Sequence, residues 1–349
     1  MGNGPSVEYV KVLFPGGDQH FPEALSKTRA ILEKQSKGVI QCMSCHTDAL
    51  MEHVADCHVI VPLMTPVSRR VMEQAGYLVM IMQFGGALEL VDVRAASEMG
   101  IPVSFVPSEG TGNAESAAEM AIFHIIQCLR RPHDMAQCLA TRRLGHPMGR
   151  SILGSKVFIY GLGGVGRQVA ARIRAFGPSS LTAVLRAGGD DCGLVDICGT
   201  ATDVSRLSRN ADIVVLCLDA DMNEGVVDTV FLDNLARGAV LVNVACGTLL
   251  NQADVLAALN SGQLSGAGLD VFGEEPFPLV DPLLQHPACH ATPHVAGATH
   301  CSYDTLAAAV CDNVMRLLDG RPLRNVVNAD KVSPVQARYH AGHAAHIGV

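Results

Sequence analysis

The chain has 349 residues, 48% hydrophobic and 17% charged, and its 26 Lys+Arg against 34 Asp+Glu leave a formal net charge of −8. That length accommodates roughly two domains, each able to bury its own core. A mildly acidic chain with 4% aromatics and no Trp lacks the basic surface and stacking platforms of a nucleic-acid binder, and it is too apolar for intrinsic disorder.

The first residues, Met1-Gly2-Asn3-Gly4-Pro5-Ser6, fit an acylation pattern at Gly2. Without a polybasic stretch or neighbouring Cys, such a chain would bind membranes only marginally. Residues 10–14 read as a first strand turning at Pro15-Gly16-Gly17, and further strands are expected at 39–41, 59–63, 78–82 and 101–103, with helical segments such as 68–75 between them. The apolar runs are short, such as 77–82, against the roughly 20 residues of a membrane span. A long helix is expected over about 114–140, burying Ala118, Met120, Ile122, Ile125, Ile126 and Leu129. The alternation then restarts with strands at 157–160, 181–185, 213–218, 240–244 and 265–271, and closes with an amphipathic helix over about 302–318. Strands alternating with helices imply parallel sheets with helical crossovers.

The twelve cysteines are scattered and follow no signal peptide, so they read as reduced thiols of a cytoplasmic protein. Cys42-Met43-Ser44-Cys45-His46 matches a haem-attachment spacing, and Cys57 and His58 would complete four zinc ligands. The second pair lacks the usual spacer, and no metal site is expected. His340, His343 and His346 lie in a Gly/Ala-rich tail with the composition of a disordered end.

Gly161-Leu162-Gly163-Gly164-Val165-Gly166 follows a strand and opens a helix, the context that gives G-x-G-x-x-G its meaning. The first glycine makes the tight turn, the second admits backbone to a pyrophosphate, and the third packs helix on strand. About 20 residues on, where NAD enzymes carry an acid for the ribose hydroxyl, stand Leu185 and Arg186. Arg186 suits a 2′-phosphate, so the cofactor is NADP or NAD with NADP favoured.

Five segments in order then resemble the D-isomer-specific 2-hydroxyacid dehydrogenases: 83–92, 113–119, 242–247, 269–276 and 292–297. The resemblance covers nearly the whole chain. It implies two doubly wound parallel-sheet α/β domains, a flavodoxin-like substrate domain from 1–120 and 300–349 and an inserted Rossmann nucleotide domain at 121–299. It makes Gly85, Gly86 and Ala87 the loop for a substrate carboxylate, His294 the acid/base, Glu275 its partner carboxylate and Asp270 the residue holding the nicotinamide amide. Gly161, Gly163, Gly164, Val165, Gly166 and Arg186 would bind the cofactor, and a homodimer is expected. An imidazole suits the proton transfer because it titrates near neutral pH.

Two positions depart from the family pattern. Cys246 stands where the family's Asn-x-Ala-Arg-Gly carries arginine, and the neighbours Ala245, Gly247, Thr248 and Leu249 are uncharged. Ala87 replaces a usual glycine. A missing guanidinium removes a bidentate, charge-assisted contact worth several kcal/mol in the transition state. Two functions follow: an oxidoreductase on a small 2-keto or 2-hydroxy acid with weak or altered substrate use, or a non-catalytic NAD(P)-binding sensor or scaffold.

Overall fold

The computed structural model describes residues 9–185, 189, 193–218, 224–278 and 280–332. Gly2, Arg186 and the three tail histidines lie outside the described residues. Two compact units divide the chain, one running to Thr111 and resuming at His300, the other spanning Gly112–Thr299.

The first unit holds a five-stranded parallel sheet of β1 (Val10–Pro15), β2 (Ile40–Cys45), β3 (Val59–Ile60), β4 (Met80–Met82) and β5 (Val103–Ser104). Their order is β2-β1-β3-β4-β5, the doubly wound order of flavodoxin-like sheets. Alternating residues point to opposite faces of a strand, and both faces are covered. Val12, Phe14, Val59, Met80 and Met82 share one core with Leu25, Leu32, Leu306 and Val310. Leu13, Ile60 and Ile81 share the other with Met72, Ala95 and Ala96. This is why the strands read as near-continuous apolar runs. The helices Pro22–Ser36 and His300–Leu318 pack together, with the Cys311 thiol 3.5 Å from the Thr28 carbonyl, so the two ends of the chain close one unit.

Cys42 and Cys45 illustrate the same alternation. Cys42 packs on the first of these cores and Cys45 lies in the second, so the two thiols of the C-x-x-C pattern face away from each other across β2. Among the described residues Cys42, Cys45, Cys57, Cys128 and Cys311 carry free thiols. Burial pushes Cys57, Cys128 and Cys311 up to about 12, which leaves them as uncharged apolar groups.

The second unit carries seven parallel strands: β6 (Lys156–Tyr160), β7 (Ser180–Val184), β8 (Ile197–Gly199), β9 (Ile213–Leu216), β10 (Ala239–Asn243), β11 (Leu264–Leu269) and β12 (Cys289–Ala291). The order β12-β11-β10-β9-β6-β7-β8 is a Rossmann sheet extended by one strand, with its topological switch between β6 and β9. Val157, Ile159, Val215 and Val242 face one core, and Phe158, Val214, Leu216 and Leu241 the other.

The structure differs from the sequence expectation in three respects. The long helix over 114–140 is two helices, Asn113–Arg130 and Pro132–Ala140. Pro132 cannot donate an N–H and crowds the preceding turn, and Arg131 takes a left-handed conformation with φ 55°. On the first of these helices Ile126 is 40% exposed, while the polar Ser116 and His124 are buried. Finally, β8 and β12 are three-residue edge strands with weak apolar patterns, too short to register as periodicity.

Among the described residues no helix is long and apolar enough to cross a membrane.

Candidate active site

The candidate site residues of the second unit gather at the carboxyl ends of β6, β10, β11 and β12, where ligands bind in open α/β sheets. At β6 the glycine-rich turn is shaped by contact between backbones. Gly161 has φ 101°, and a Cβ there would lie 2.7 Å from the Leu218 backbone. A Cβ on Gly166 would lie 2.0 Å from the Gly161 carbonyl, so the helix Gly164–Arg174 begins hard against the turn. At Gly163 an added Cβ meets nothing within 4 Å. The turn thus offers open space at a helix N-terminus whose amides lack intrahelical partners, and these residues fit a dinucleotide pyrophosphate. Val165 packs on the adjoining core. Leu185 follows the end of β7, next to Arg186.

Asn243, the last residue of β10, is fully buried. Its side-chain N–H donates to the Cys246 carbonyl at 2.8 Å, and its oxygen accepts from the Ala245 amide at 3.1 Å. Gly247 lies so close to the next segment that a Cβ would sit 1.9 Å from the Phe272 carbonyl carbon. Cys246 is half-buried, with its sulfur 3.2 Å from the Thr248 hydroxyl.

The segment after β11 carries Asp270 and Glu275. Glu275 accepts from the Phe272 amide at 2.9 Å through one oxygen, and its other oxygen lies 2.6 Å from His294 Nδ1. Glu275 is 14% exposed and His294 41%, so the imidazole is anchored on one side and reaches solvent. His294 has φ 53°, a left-handed conformation that costs a residue with a Cβ. Its amide donates to the Asp270 carbonyl at 2.8 Å.

Asp270 is fully buried. Its carboxylate accepts from the Thr292 hydroxyl at 2.5 Å and from the amides of Val295 at 3.0 Å and Ala296 at 2.7 Å. Burial raises its pKa while these donors pull it down.

In the first unit, Gly85, Gly86 and Ala87 form a loop just past β4. Gly85 has φ 110°, and its carbonyl accepts from the Val106 amide at 3.0 Å. Gly86 and Ala87 are exposed.

Sequence reasoning passed over four residues that shape these segments: Asn243, Gly247, Thr292 and His124. The first three lie inside segments already singled out, and buried polar side chains or glycine beside a catalytic position were the available signal. His124 lies 168 residues from its partner Thr292, and no local pattern points to it.

Residues 122–296 match the family model for the D-isomer specific 2-hydroxyacid dehydrogenase NAD binding domain. Over 294 residues the chain is 29% identical to a glyoxylate reductase of Korarchaeum cryptofilum, covering 81% of this chain and 86% of that protein. It is 28% identical over 318 residues to D-3-phosphoglycerate dehydrogenase of Rattus norvegicus, covering 87% of this chain but 57% of that longer protein. Among solved structures, an NADPH-dependent glyoxylate/hydroxypyruvate reductase from Sinorhizobium meliloti, in complex with NADP and malonate, has the same fold. Its TM-score is 0.78 at 24% identity, over 93% of this chain and 98% of that one.

Proposed function

The chain belongs to the D-isomer-specific 2-hydroxyacid dehydrogenase family, and from that premise we propose that it reduces a 2-keto acid to the 2-hydroxy acid, or the reverse, with substrate use altered by Cys246. The observation carrying this reading is the 2.6 Å contact between His294 and Glu275 on a solvent-reaching imidazole. Bound NAD or NADP supplies or accepts the hydride. Glu275 fixes the ring through Nδ1, so Nε2 is the atom assigned to exchange the proton with the C2 oxygen. Asp270 is assigned to hold the nicotinamide amide, from a turn in which its carboxylate and carbonyl also receive the amides of His294, Val295 and Ala296. The 85–87 loop is assigned to the substrate carboxylate through its backbone amides. Gly161, Gly163, Gly164, Val165 and Gly166 are assigned to the pyrophosphate, and Arg186 to a 2′-phosphate, giving a lower KM for NADPH than for NADH. The substrate domain is assigned to both chain ends and the nucleotide domain to the middle.

Cys246 leaves the substrate carboxylate and C2 oxygen without the family's guanidinium. We therefore expect slow turnover of small 2-keto acids, raised about 100-fold in kcat/KM by Cys246→Arg, since one charge-assisted donor at such a site is worth about 3 kcal/mol. The measurement is NADPH and NADH oxidation with glyoxylate, hydroxypyruvate and a bulkier 2-keto acid. If neither protein turns over any of them while both bind NADPH, the hydride-transfer reading fails and a non-catalytic nucleotide-binding protein stands in its place.

A homodimer is proposed through the second unit, supported by the exposed apolar residues Phe123, Leu139, Leu144, Met148 and Leu153 along 123–153. Light scattering that gives a monomer mass at micromolar concentration would refute it.

A further inference from the structure

The buried face of the helix Asn113–Arg130 is built of Ala, Ile, Leu and Cys side chains, interrupted by Ser116 and His124. A fully buried imidazole needs a partner to offset its desolvation. His124 Nε2 lies 2.9 Å from the Thr292 hydroxyl, and that hydroxyl lies 2.5 Å from the Asp270 carboxylate. A carboxylate only accepts, so the single hydroxyl proton of Thr292 goes to Asp270. His124 must then donate to the Thr292 oxygen through Nε2–H.

The remaining ring atom, Nδ1, is buried without a hydrogen-bond partner among the described residues, as a bare acceptor nitrogen in this tautomer would be. Burial, with His290 adding to it, pushes the His124 pKa down to about 4, which keeps the ring neutral at neutral pH. The neighbouring strand makes room for the ring. A Cβ at Gly268 in β11 would lie 2.5 Å from His124 Cβ and 3.0 Å from Nδ1.

Beyond Asp270 the chain of bonds continues into backbone. The carboxylate receives the Val295 and Ala296 amides, and the Asp270 carbonyl receives the His294 amide. These bonds hold a left-handed residue, a conformation that persists only where its surroundings over-determine it. We infer that His124 is a positioning residue: acting through Thr292 on Asp270, it holds the turn that presents His294 to the substrate. The inference rests on the assignment of His294 as the acid/base, but its first test needs no turnover.

Amide hydrogen exchange at Val295 and Ala296 is measured on the full chain, on three single variants and on the double variant His124→Leu/Thr292→Val. His124→Leu removes the donor while keeping bulk, Thr292→Val removes the relay, and His124→Gln restores a side-chain N–H of similar reach. Exchange is expected to be about tenfold faster in the Leu and Val variants, no faster again in the double variant, and within about threefold of wild type in the Gln variant. Unchanged exchange in His124→Leu, or no recovery in His124→Gln, overturns the inference. Should His124→Leu fail to fold, fast exchange in Thr292→Val with near-wild-type exchange in His124→Gln supports it, and any other result overturns it.

With a 2-keto acid, kcat falls about tenfold in His124→Leu while the NADPH Kd stays within about twofold. Faster exchange with unchanged kcat also overturns the inference. A wild-type protein without turnover refutes the proposed reaction, and the exchange result alone then decides whether His124 holds the turn.

Discussion

The turn after β6 and the turn after β12 belong to one sheet and hold their shapes by different means. At the first, backbone meets backbone: the Gly161 carbonyl occupies the space a Gly166 side chain would need, and Gly161 lies against Leu218. At the second, side chains hold backbone: the buried His124 and Asp270, joined through the half-buried Thr292, form a chain of hydrogen bonds ending on the amides at 295 and 296. A steric turn is specified by the absence of atoms at fixed spacing. A hydrogen-bonded turn is specified by polar groups whose positions in the chain are unrelated. The first survives any outward change that adds no Cβ at the contact, whereas the second can be loosened from a distant helix.

Substitutions test the two designs in order of expected effect. His294→Asn keeps a residue tolerant of the left-handed region yet removes the imidazole. It should lower kcat by roughly 10²–10⁴-fold with the unfolding midpoint little changed; equal activity in the variant would remove His294 from the chemistry. Gly166→Ala drives a carbon to 2.0 Å from a backbone oxygen and should cost about 3 kcal/mol or more in urea unfolding, with NADPH binding lost. The hydrogen-bonded design instead carries a pH signature. His124 falls from 6.5 to about 4 in the folded state, so the unfolded chain binds the extra proton between those values. Its contribution is fully present above pH 6.5 and is lost as pH falls toward 4, by about 3 kcal/mol in all. Urea midpoints measured from pH 7.5 to 4.5 should show this slope, and His124→Leu should flatten it. The smallest effect is expected at Gly163→Ala, where nothing lies within 4 Å. Stability should hold within about 0.5 kcal/mol while NADPH affinity falls about tenfold as the methyl enters the phosphate space. A matching loss of stability would show that the open space is not a ligand cradle.

This contrast also explains what could be read from the chain. Gly161, Gly163 and Gly166 announce themselves because steric rules act at fixed spacing, and β6, β9 and β10 because both faces of a central strand are apolar. The segments bearing Asp270, Glu275 and His294 were legible through family resemblance. The bonds between them were not, because pairing between residues 124 and 292 is set by how a helix lies on a sheet. The break at Arg131 was obscured by an apolar pattern that continues past Pro132, although proline itself carried the stop signal. The edge strands β8 and β12 are fixed by parallel pairing with β7 and β11 rather than by periodicity of their own.

The main chain around position 246 is held independently of its side chain. Asn243 grips the Cys246 carbonyl, Gly247 is pressed against Phe272, and Cys246 itself is extended at φ −141°, ψ 138°, a conformation open to every L-residue except proline. Position 246 is therefore a socket. Its occupant can be exchanged without redrawing the loop, so, on the proposed reading of the site, a saturation library at this one codon would vary substrate chemistry on an otherwise constant scaffold.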